Sequence, residues 1–434
     1  MPLYLFATAV LSLMAVSGFF LLCRLIYRIN RDAVHTRSDV DGPTAIWTGR
    51  SPSLIPGRFT VLPTAKILLA VFAAALLSRV CLIIWAWFLL FLSGETTGNL
   101  LTDFYTLWVH WDARHYYGIA KDGYTATGDA RLRLVFFPLY PLFMRGFAMF
   151  TGGNLILAGT AVSVLSGACS AVLLYILAAN LQEVPPADTV CAFLLNPYSV
   201  FLCCVYTEGL FLMLTLAAYV LRRFGHPWLY AFCGFLAALT RMPGVILAGI
   251  VIIDLIDQAA ARNLTSRTVM EGILQIMIIF SGLLVYCGVN AAVTGDPWMY
   301  MTYQRENWFQ QPGTVWNTAV NTLRYFMSSD GNPDKWWTWG TQAAVMLLVP
   351  ALMAYAKALP FDLMAYSFVY TAVVLSPTWL LSGPRYFFGL FVLPLMQAYA
   401  LRRSPVWVRT TCMLVSGMLL LLFVYGYTIA VEVL

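Results

Sequence analysis

Long apolar runs separated by short polar connections make up most of this chain. The first uncharged run covers residues 3–23 and ends at Arg24. A helix needs about 20 apolar residues to cross a bilayer, and several later runs are shorter, so their boundaries are approximate. The pattern predicts an all-α polytopic membrane protein with about twelve transmembrane helices, in a range of about ten to thirteen. The later runs cover roughly residues 67–93, 154–181, 188–204, 206–221, 227–240, 243–257, 270–293, 339–359, 361–381, 386–401 and 405–430.

The composition supports this class. Hydrophobic residues make up 60% of the 434 residues and charged residues 11%, whereas soluble proteins carry about 25% charged residues. An aromatic content of 15% excludes a disordered chain. The net charge of +6 is not concentrated on a soluble domain, so we expect no nucleic-acid partner. The nine cysteines form no CxxC pair, which disfavours a disulfide framework or a cysteine metal site.

The distribution of arginine predicts which side of the membrane each connection occupies. The connection 28–65 is the longest arginine-rich one, and the positive-inside rule places it in the cytoplasm. With about twelve spans, three further arginine pairs also lie in the cytoplasm. This holds provided that the proline-containing segment 134–150 is re-entrant or interfacial and does not cross the membrane. These pairs are Arg222 and Arg223, Arg262 and Arg267, and Arg402 and Arg403.

This topology collects the unusual polar residues on one non-cytoplasmic face. The two long loops, 94–133 and 294–338, both fall on that side. The short connections that hold Glu208, Arg241 and Arg385 do so as well. The positive-inside rule does not require this clustering, so it points to a functional face.

Residues 110–133 are the densest polar stretch, and Asp112 is its leading candidate. Asp112 lies between Trp111 and the pair Arg114 and His115. A carboxylate flanked by aromatic residues near a membrane surface is a candidate general base for a hydroxyl group. Arg114 and His115 are candidates to neutralise a phosphate. The alternative is an interfacial loop whose Trp and Tyr side chains lie at headgroup depth.

Further charged residues lie within or beside apolar runs. An acidic side chain such as Glu208 near the start of an apolar helix usually faces a cavity or a partner, although a helix N-terminus also favours negative charge. The preceding Asn196-Pro197 pair breaks its helix, which suits a polar cavity. Three arginines are candidates to hold a lipid-linked phosphate; alternatively they snorkel or form intramolecular salt bridges. They are Arg79, Arg241 and Arg385.

The loop 294–338 is rich in tryptophan, whose faces suit sugar rings and suit an interfacial aromatic belt equally well. Asp39-Val40-Asp41 has the form of a DxD metal–nucleotide motif. We discount it because it is short and lies in the cytoplasmic loop. With no strong metal-ligand cluster elsewhere, we predict no cofactor and leave a divalent metal open. The tryptophans are Trp298, Trp308, Trp316, Trp336 and Trp337.

Several motifs occur in a recognisable order. The most specific block comprises His110-Trp111-Asp112-Ala113, His115, Ile119-Ala120, Gly123-Tyr124, Phe136-Phe137-Pro138 and Pro141. The other blocks are Ser78-Arg79, Asn196-Pro197 with Tyr206, Glu208 and Leu210-Phe211, Thr240-Arg241 with Gly244, and Gly295-Asp296-Pro297 with Gln304 and Trp308. Together they resemble the PIG-V mannosyltransferases, that is, GPI mannosyltransferase 2 and its prokaryotic relatives. The resemblance runs from about residue 67 to about residue 400 and departs from the eukaryotic form at Thr207 and Met242-Pro243.

The resemblance implies a GT-C glycosyltransferase fold with its active site at the non-cytoplasmic face. It implies transfer of mannose, with inversion, from polyprenyl- or dolichyl-phosphate mannose to a glycolipid or GPI-like acceptor. Asp112 would be the base, and Arg241, Arg385 or His115 would stabilise the lipid phosphate. Glu208 would position the acceptor or orient one of those groups. The implied substrate-binding residues are Arg79, Trp111, Arg114, His115, Tyr124, Arg241, Gln304, Trp308 and Arg385.

Two other functions fit the same residues. One is a transporter or flippase for a lipid-linked or small polar substrate, which would show repeated halves and ionisable residues at span centres. The other is a GT-C enzyme with a protein or polysaccharide acceptor.

We assign residues 1–65 to an additional N-terminal transmembrane helix and basic loop, and residues 66–434 to the catalytic domain. The Gly295-Asp296-Pro297 block resembles that of the prokaryotic family members, which implies a bacterial or archaeal plasma membrane rather than the endoplasmic reticulum.

Overall fold

The computed structural model describes residues 57–328, 335–378 and 380–429. The predicted first helix, the Asp39-Val40-Asp41 motif and most of the connection 28–65 lie outside these residues. Within them the chain is built of helices and contains no β-strand, which agrees with the all-α class.

The helices are numbered here in chain order. They are α1 (Ala65–Ser93), α2 (Leu100–Trp108), α3 (Asp112–Asp122), α4 (Leu139–Ala148), α5 (Leu155–Ala179), α6 (Pro186–Leu194), α7 (Glu208–Arg223), α8 (Pro227–Thr240), α9 (Ala248–Ala260), α10 (Ser266–Thr294), α11 (Met299–Trp308), α12 (Val315–Ser328), α13 (Thr341–Tyr355), α14 (Phe361–Val374), α15 (Gly383–Phe388), α16 (Leu393–Leu401) and α17 (Val406–Thr428). Short 3₁₀ segments cover Asp129–Val135, Pro197–Leu202 and Met242–Leu247, and a π-helical turn covers Lys335–Gly340.

Several helices have the length and hydropathy of membrane spans. An exposed apolar surface on such a helix, as at Leu69, Leu77 and Ile84 of α1, matches contact with lipid rather than water. The protein is therefore an integral membrane protein. In the described part of the chain, six helical segments meet both criteria, namely Ala65–Ser93, Leu155–Ala179, Met242–Ala260, Ser266–Thr294, Lys335–Tyr355 and Val406–Thr428.

The helix break at Asn196-Pro197 occurs as the sequence indicates. Helix α6 ends at Leu194, and the chain continues as the 3₁₀ segment Pro197–Leu202. Arg79, which is 1% exposed, donates hydrogen bonds to the carbonyls of Leu194 (2.7 Å) and Ser199 (2.7 Å) across this break. A buried carbonyl without a partner is costly, so Arg79 stabilises the broken helix.

Helix α7 is the centre of the bundle and is buried over most of its length. Its 16 residues span about 24 Å. A Cβ at Gly209 would lie 2.7 Å from the Ser163 carbonyl oxygen, so this glycine allows α7 to pack closely against α5. Glu208 begins the helix and Arg223 ends it, and α7 therefore links two polar clusters of different character.

The C-terminal end of α7 belongs to an arginine-rich cluster, called here the basic end (Arg222, Arg223, Arg402 and Arg403). The Arg223 carbonyl accepts the Phe59 amide at 2.9 Å, and the nearby Val61 amide donates to the Asn180 side chain at 3.0 Å. Three residues beyond Asn180, Glu183 pairs with Arg402 at 2.6 Å and with Arg403 at 3.1 Å. The two arginine pairs therefore lie at the same end of the molecule, as their predicted common side requires.

The two predicted long loops contain helices. The stretch 94–133 includes α2 and α3, and 294–338 includes α11 and α12. Asn99 explains the first of these, because its side chain caps α2 by accepting the Leu101 and Thr102 amides. Helix α4, in the segment expected not to cross, has 10 residues, about half the length of a span.

Candidate active site

Four charged residues from separate parts of the chain meet at the N-terminal end of α7. Arg385 Nη2 lies 2.7 Å from Asp112 Oδ2, and Arg385 Nε lies 3.5 Å from Glu208 Oε1. Arg241 Nη1 lies 2.5 Å from the same Glu208 oxygen. Asp112, Glu208, Arg241 and Arg385 are called here the charged cluster, and all four were predicted as site residues.

Three members stand at helix boundaries, and Arg385 lies within the short helix α15. Asp112 is the first residue of α3 and Glu208 the first of α7, where the helix dipole stabilises a carboxylate. Arg241 follows α8 in an extended conformation, with φ −155° and ψ 144°. Gly244, three residues later, packs against the main chain of α8 so closely that a Cβ would overlap it.

The cluster is electrically balanced and graded in exposure. The side chain of Glu208 is 1% exposed and that of Arg385 is 4% exposed, whereas that of Asp112 is 21% exposed. Asp112 therefore forms the accessible edge, with the other charges behind it. Glu208 Oε2 and Arg385 Nη1 are buried and have no hydrogen-bond partner among the described residues. Such groups are uncommon in a folded protein and call for a functional explanation.

Aromatic rings line the buried side of the cluster. The Arg385 guanidinium lies 5.1 Å from the ring centre of Tyr206 and 5.3 Å from that of Tyr386. The Arg241 guanidinium lies 5.0 Å from the Tyr386 ring. These cation–π contacts hold both arginines where water is excluded.

A second aromatic group lies on α3 beside Asp112. The His115 ring stacks on Phe136 at 4.5 Å, and the Trp308 ring meets His115 edge-on at 5.9 Å. The Tyr124 hydroxyl donates to the Phe136 carbonyl at 2.7 Å. Burial is the main cause that lowers the pKa of His115 below its usual range, against the opposing effect of Asp112. The lowered pKa favours the neutral imidazole, which offers a hydrogen bond rather than a positive charge.

Of the remaining predicted residues, Arg79 and Gln304 have polar partners elsewhere, whereas Trp111 and Arg114 neighbour Asp112 in the chain. The Arg79 donors are occupied at the α6 break, Arg114 is exposed, and the Gln304 side chain donates to Gln310. Trp111 directly precedes Asp112, and its ring lies 5.2 Å from that of Tyr427. In the described residues no group of three or more metal-ligating side chains occurs.

Two arginines that contact the C-terminal end of α3 were not among the predicted residues. Arg145 Nε donates to the Ala120 carbonyl at 2.5 Å, and Arg133 pairs with Asp122 at 3.2 Å. Both act at the C-terminal end of α3, where carbonyls lack helical partners. Their partners are mostly main-chain atoms, which carry no residue identity, so no sequence motif marks them.

The geometry defines an all-α membrane protein with a buried charged cluster at one end of its central helix. A family model described as mannosyltransferase (PIG-V) matches residues 61–339, which is more than half of the chain. The chain therefore belongs to the PIG-V mannosyltransferase family. It is a membrane glycosyltransferase that transfers mannose from a sugar donor to an acceptor. The match includes Asp112, Glu208 and Arg241. Searches of curated proteins and of solved structures return no significant match.

Proposed function

We propose that the protein transfers mannose, with inversion, from a polyprenyl- or dolichyl-phosphate mannose to a glycolipid or GPI-like acceptor. The charged cluster carries this proposal, because it presents one accessible carboxylate in front of two buried arginines. Such an arrangement supplies a base for a hydroxyl group and positive charge for a phosphate. The site lies among apolar helices, where a lipid-linked donor delivers its sugar from within the bilayer.

The bond changes balance without a cofactor. The acceptor hydroxyl oxygen attacks the anomeric carbon of mannose, and the bond from that carbon to the phosphate oxygen breaks. The hydroxyl proton passes to Asp112, and the bonding electrons leave with the lipid phosphate, which gains one negative charge. Attack opposite to the departing phosphate inverts the anomeric centre.

Arg385 is the residue whose partners change in this scheme. It now binds the Asp112 carboxylate at 2.7 Å, so that one oxygen of that carboxylate is occupied. A donor phosphate that binds Arg385 competes with Asp112 and leaves that carboxylate available as a base. Arg241 adds a second positive charge, and Glu208 holds both guanidinium groups in place.

The other predicted residues have supporting roles in the proposal. Trp308 and the His115–Phe136 stack form an aromatic wall beside Asp112, suited to the face of a sugar ring. Arg114 is exposed on α3 and would meet a phosphate at the surface. Because the basic end lies at the other end of α7, we place the site on the non-cytoplasmic side, within a GT-C catalytic domain of residues 66–434.

The donor is tested with purified protein in detergent and a glycolipid acceptor. We expect radiolabelled mannose to be transferred from polyprenyl-phosphate mannose and not from the nucleotide donor GDP-mannose. Transfer from GDP-mannose alone would contradict the proposed donor class. The anomeric configuration of the product, compared with that of the donor, tests inversion.

A further inference from the structure

The turn that leads into Asp112 is strained. Trp111 has φ 46° and ψ −117°, a backbone conformation that residues other than glycine rarely adopt. Such a conformation costs on the order of 1–3 kcal/mol and persists only where neighbouring contacts enforce it. The contacts that hold residues 110–112 therefore decide where the Asp112 carboxylate points.

A single carbonyl receives two of these contacts. The His110 carbonyl accepts the Ala113 amide at 3.0 Å, closing the first turn of α3. It also accepts the Tyr206 hydroxyl at 3.1 Å, across 96 residues of sequence. The first bond is local and would form in any helical turn, whereas the second fixes the turn relative to the rest of the site.

Tyr206 is placed to connect three members of the charged cluster. It precedes Glu208 by two residues, its hydroxyl holds the turn before Asp112, and its ring faces the Arg385 guanidinium at 5.1 Å. The side chain is 1% exposed and packs against the Phe201 ring at 4.9 Å. A rigid buried ring with one hydroxyl contact is suited to set a distance between two segments.

We propose that Tyr206 is a positioning residue for mannose transfer, whose hydroxyl fixes the Trp111 turn and thereby aims Asp112 at the acceptor. The inference rests on the proposed role of Asp112 as the base. The ring and the hydroxyl have separable tasks. The ring supports Arg385, and through it the donor phosphate, whereas the hydroxyl acts only on the turn that carries the base.

Tyr206→Phe separates these tasks, because it keeps the ring and removes the hydroxyl. We expect kcat for mannose transfer to fall by about 10- to 100-fold, the range that a small misplacement of a catalytic group produces. The KM for the lipid donor stays unchanged, since the face presented to Arg385 is preserved. Steady-state kinetics with varied donor concentration measure both quantities.

Tyr230→Phe is the matched control. Tyr230 is fully buried, its hydroxyl donates to the Leu247 carbonyl, and its ring lies 4.7 Å from the Arg222 guanidinium. The same chemistry is thus removed near the basic end, far from Asp112. We expect Tyr230→Phe to retain the wild-type kcat, with a change in thermal midpoint similar to that of Tyr206→Phe.

The outcomes distinguish the two proposals. Wild-type kcat for Tyr206→Phe, or an equal loss for Tyr230→Phe, would overturn the positioning role. A rise in donor KM with kcat unchanged would overturn it too, because the hydroxyl would then serve donor binding. Asp112→Asn is measured in the same series, and full transfer by that variant would instead overturn the proposed function.

Discussion

Glu208 and Glu183 each lie between two arginines, yet their surroundings differ completely. Glu208 contacts Arg241 and Arg385 with its side chain 1% exposed. Glu183 contacts Arg402 and Arg403 with its side chain 49% exposed. Solvent screens the charges around Glu183. The buried charges around Glu208 have no such screening and must neutralise one another.

Neutralising each glutamate tests this contrast. Glu208→Gln removes the buried carboxylate that Arg241 and Arg385 share. Breaking a buried ion pair costs roughly 3–5 kcal/mol. We expect a lower thermal midpoint in detergent and loss of mannose transfer. Glu183→Gln should change neither by much. Equal behaviour of the two variants would show that the charged cluster does not depend on Glu208.

At the scale of the elements, close packing after α8 positions Arg241. The main chain of α8 at Ala237 and Ala238 leaves no room for a Cβ at Gly244, whereas Gly249 has no atom within 4 Å of that position. We expect Gly244→Ala to lower stability by roughly 1–3 kcal/mol and to reduce transfer by displacing Arg241. Gly249→Ala should retain both. Thermal unfolding and transfer assays of the pair measure this, and an unaffected Gly244→Ala would contradict the account.

The sequence predicts some elements well and others poorly, for a physical reason. Long apolar runs such as α1, α5, α10 and α17 are recognisable in the sequence by their length. The Asn196-Pro197 pair also marks its helix break, because proline cannot continue a helix. The helices of the supposed loops 94–133 and 294–338 escape prediction, because they are short and depend on caps and on contacts made by distant residues.

The site shows the same division. Sequence reasoning names all members of the charged cluster, since ionisable residues beside apolar runs stand out. It does not predict that Arg385 pairs with Asp112, 273 residues away, nor that Arg79 donates to the carbonyls of a helix break. Main-chain carbonyls have no residue identity, so the partners of Arg79, Arg145 and Tyr206 leave no trace in a motif.

At the scale of the whole molecule, the charged cluster and the basic end occupy opposite ends of α7. If the basic end is cytoplasmic, a reporter fused after residue 120 reads as outside and one fused after residue 225 as inside. Paired reporters, one active only on each side of the membrane, measure this. The opposite pattern would place the site in the cytoplasm and remove the argument for a donor presented on the outer side.

Transfer of radiolabelled mannose from polyprenyl-phosphate mannose tests the central claim most directly, with wild type, Asp112→Asn and Asp122→Asn compared side by side. Asp122 is the matched control because it ends the helix that Asp112 begins and its carboxylate also pairs with an arginine, Arg133, at 3.2 Å. The account predicts transfer by wild type and Asp122→Asn, and none by Asp112→Asn at equal amounts of folded protein. Full transfer by Asp112→Asn would contradict it, because the charged cluster would then lack its base.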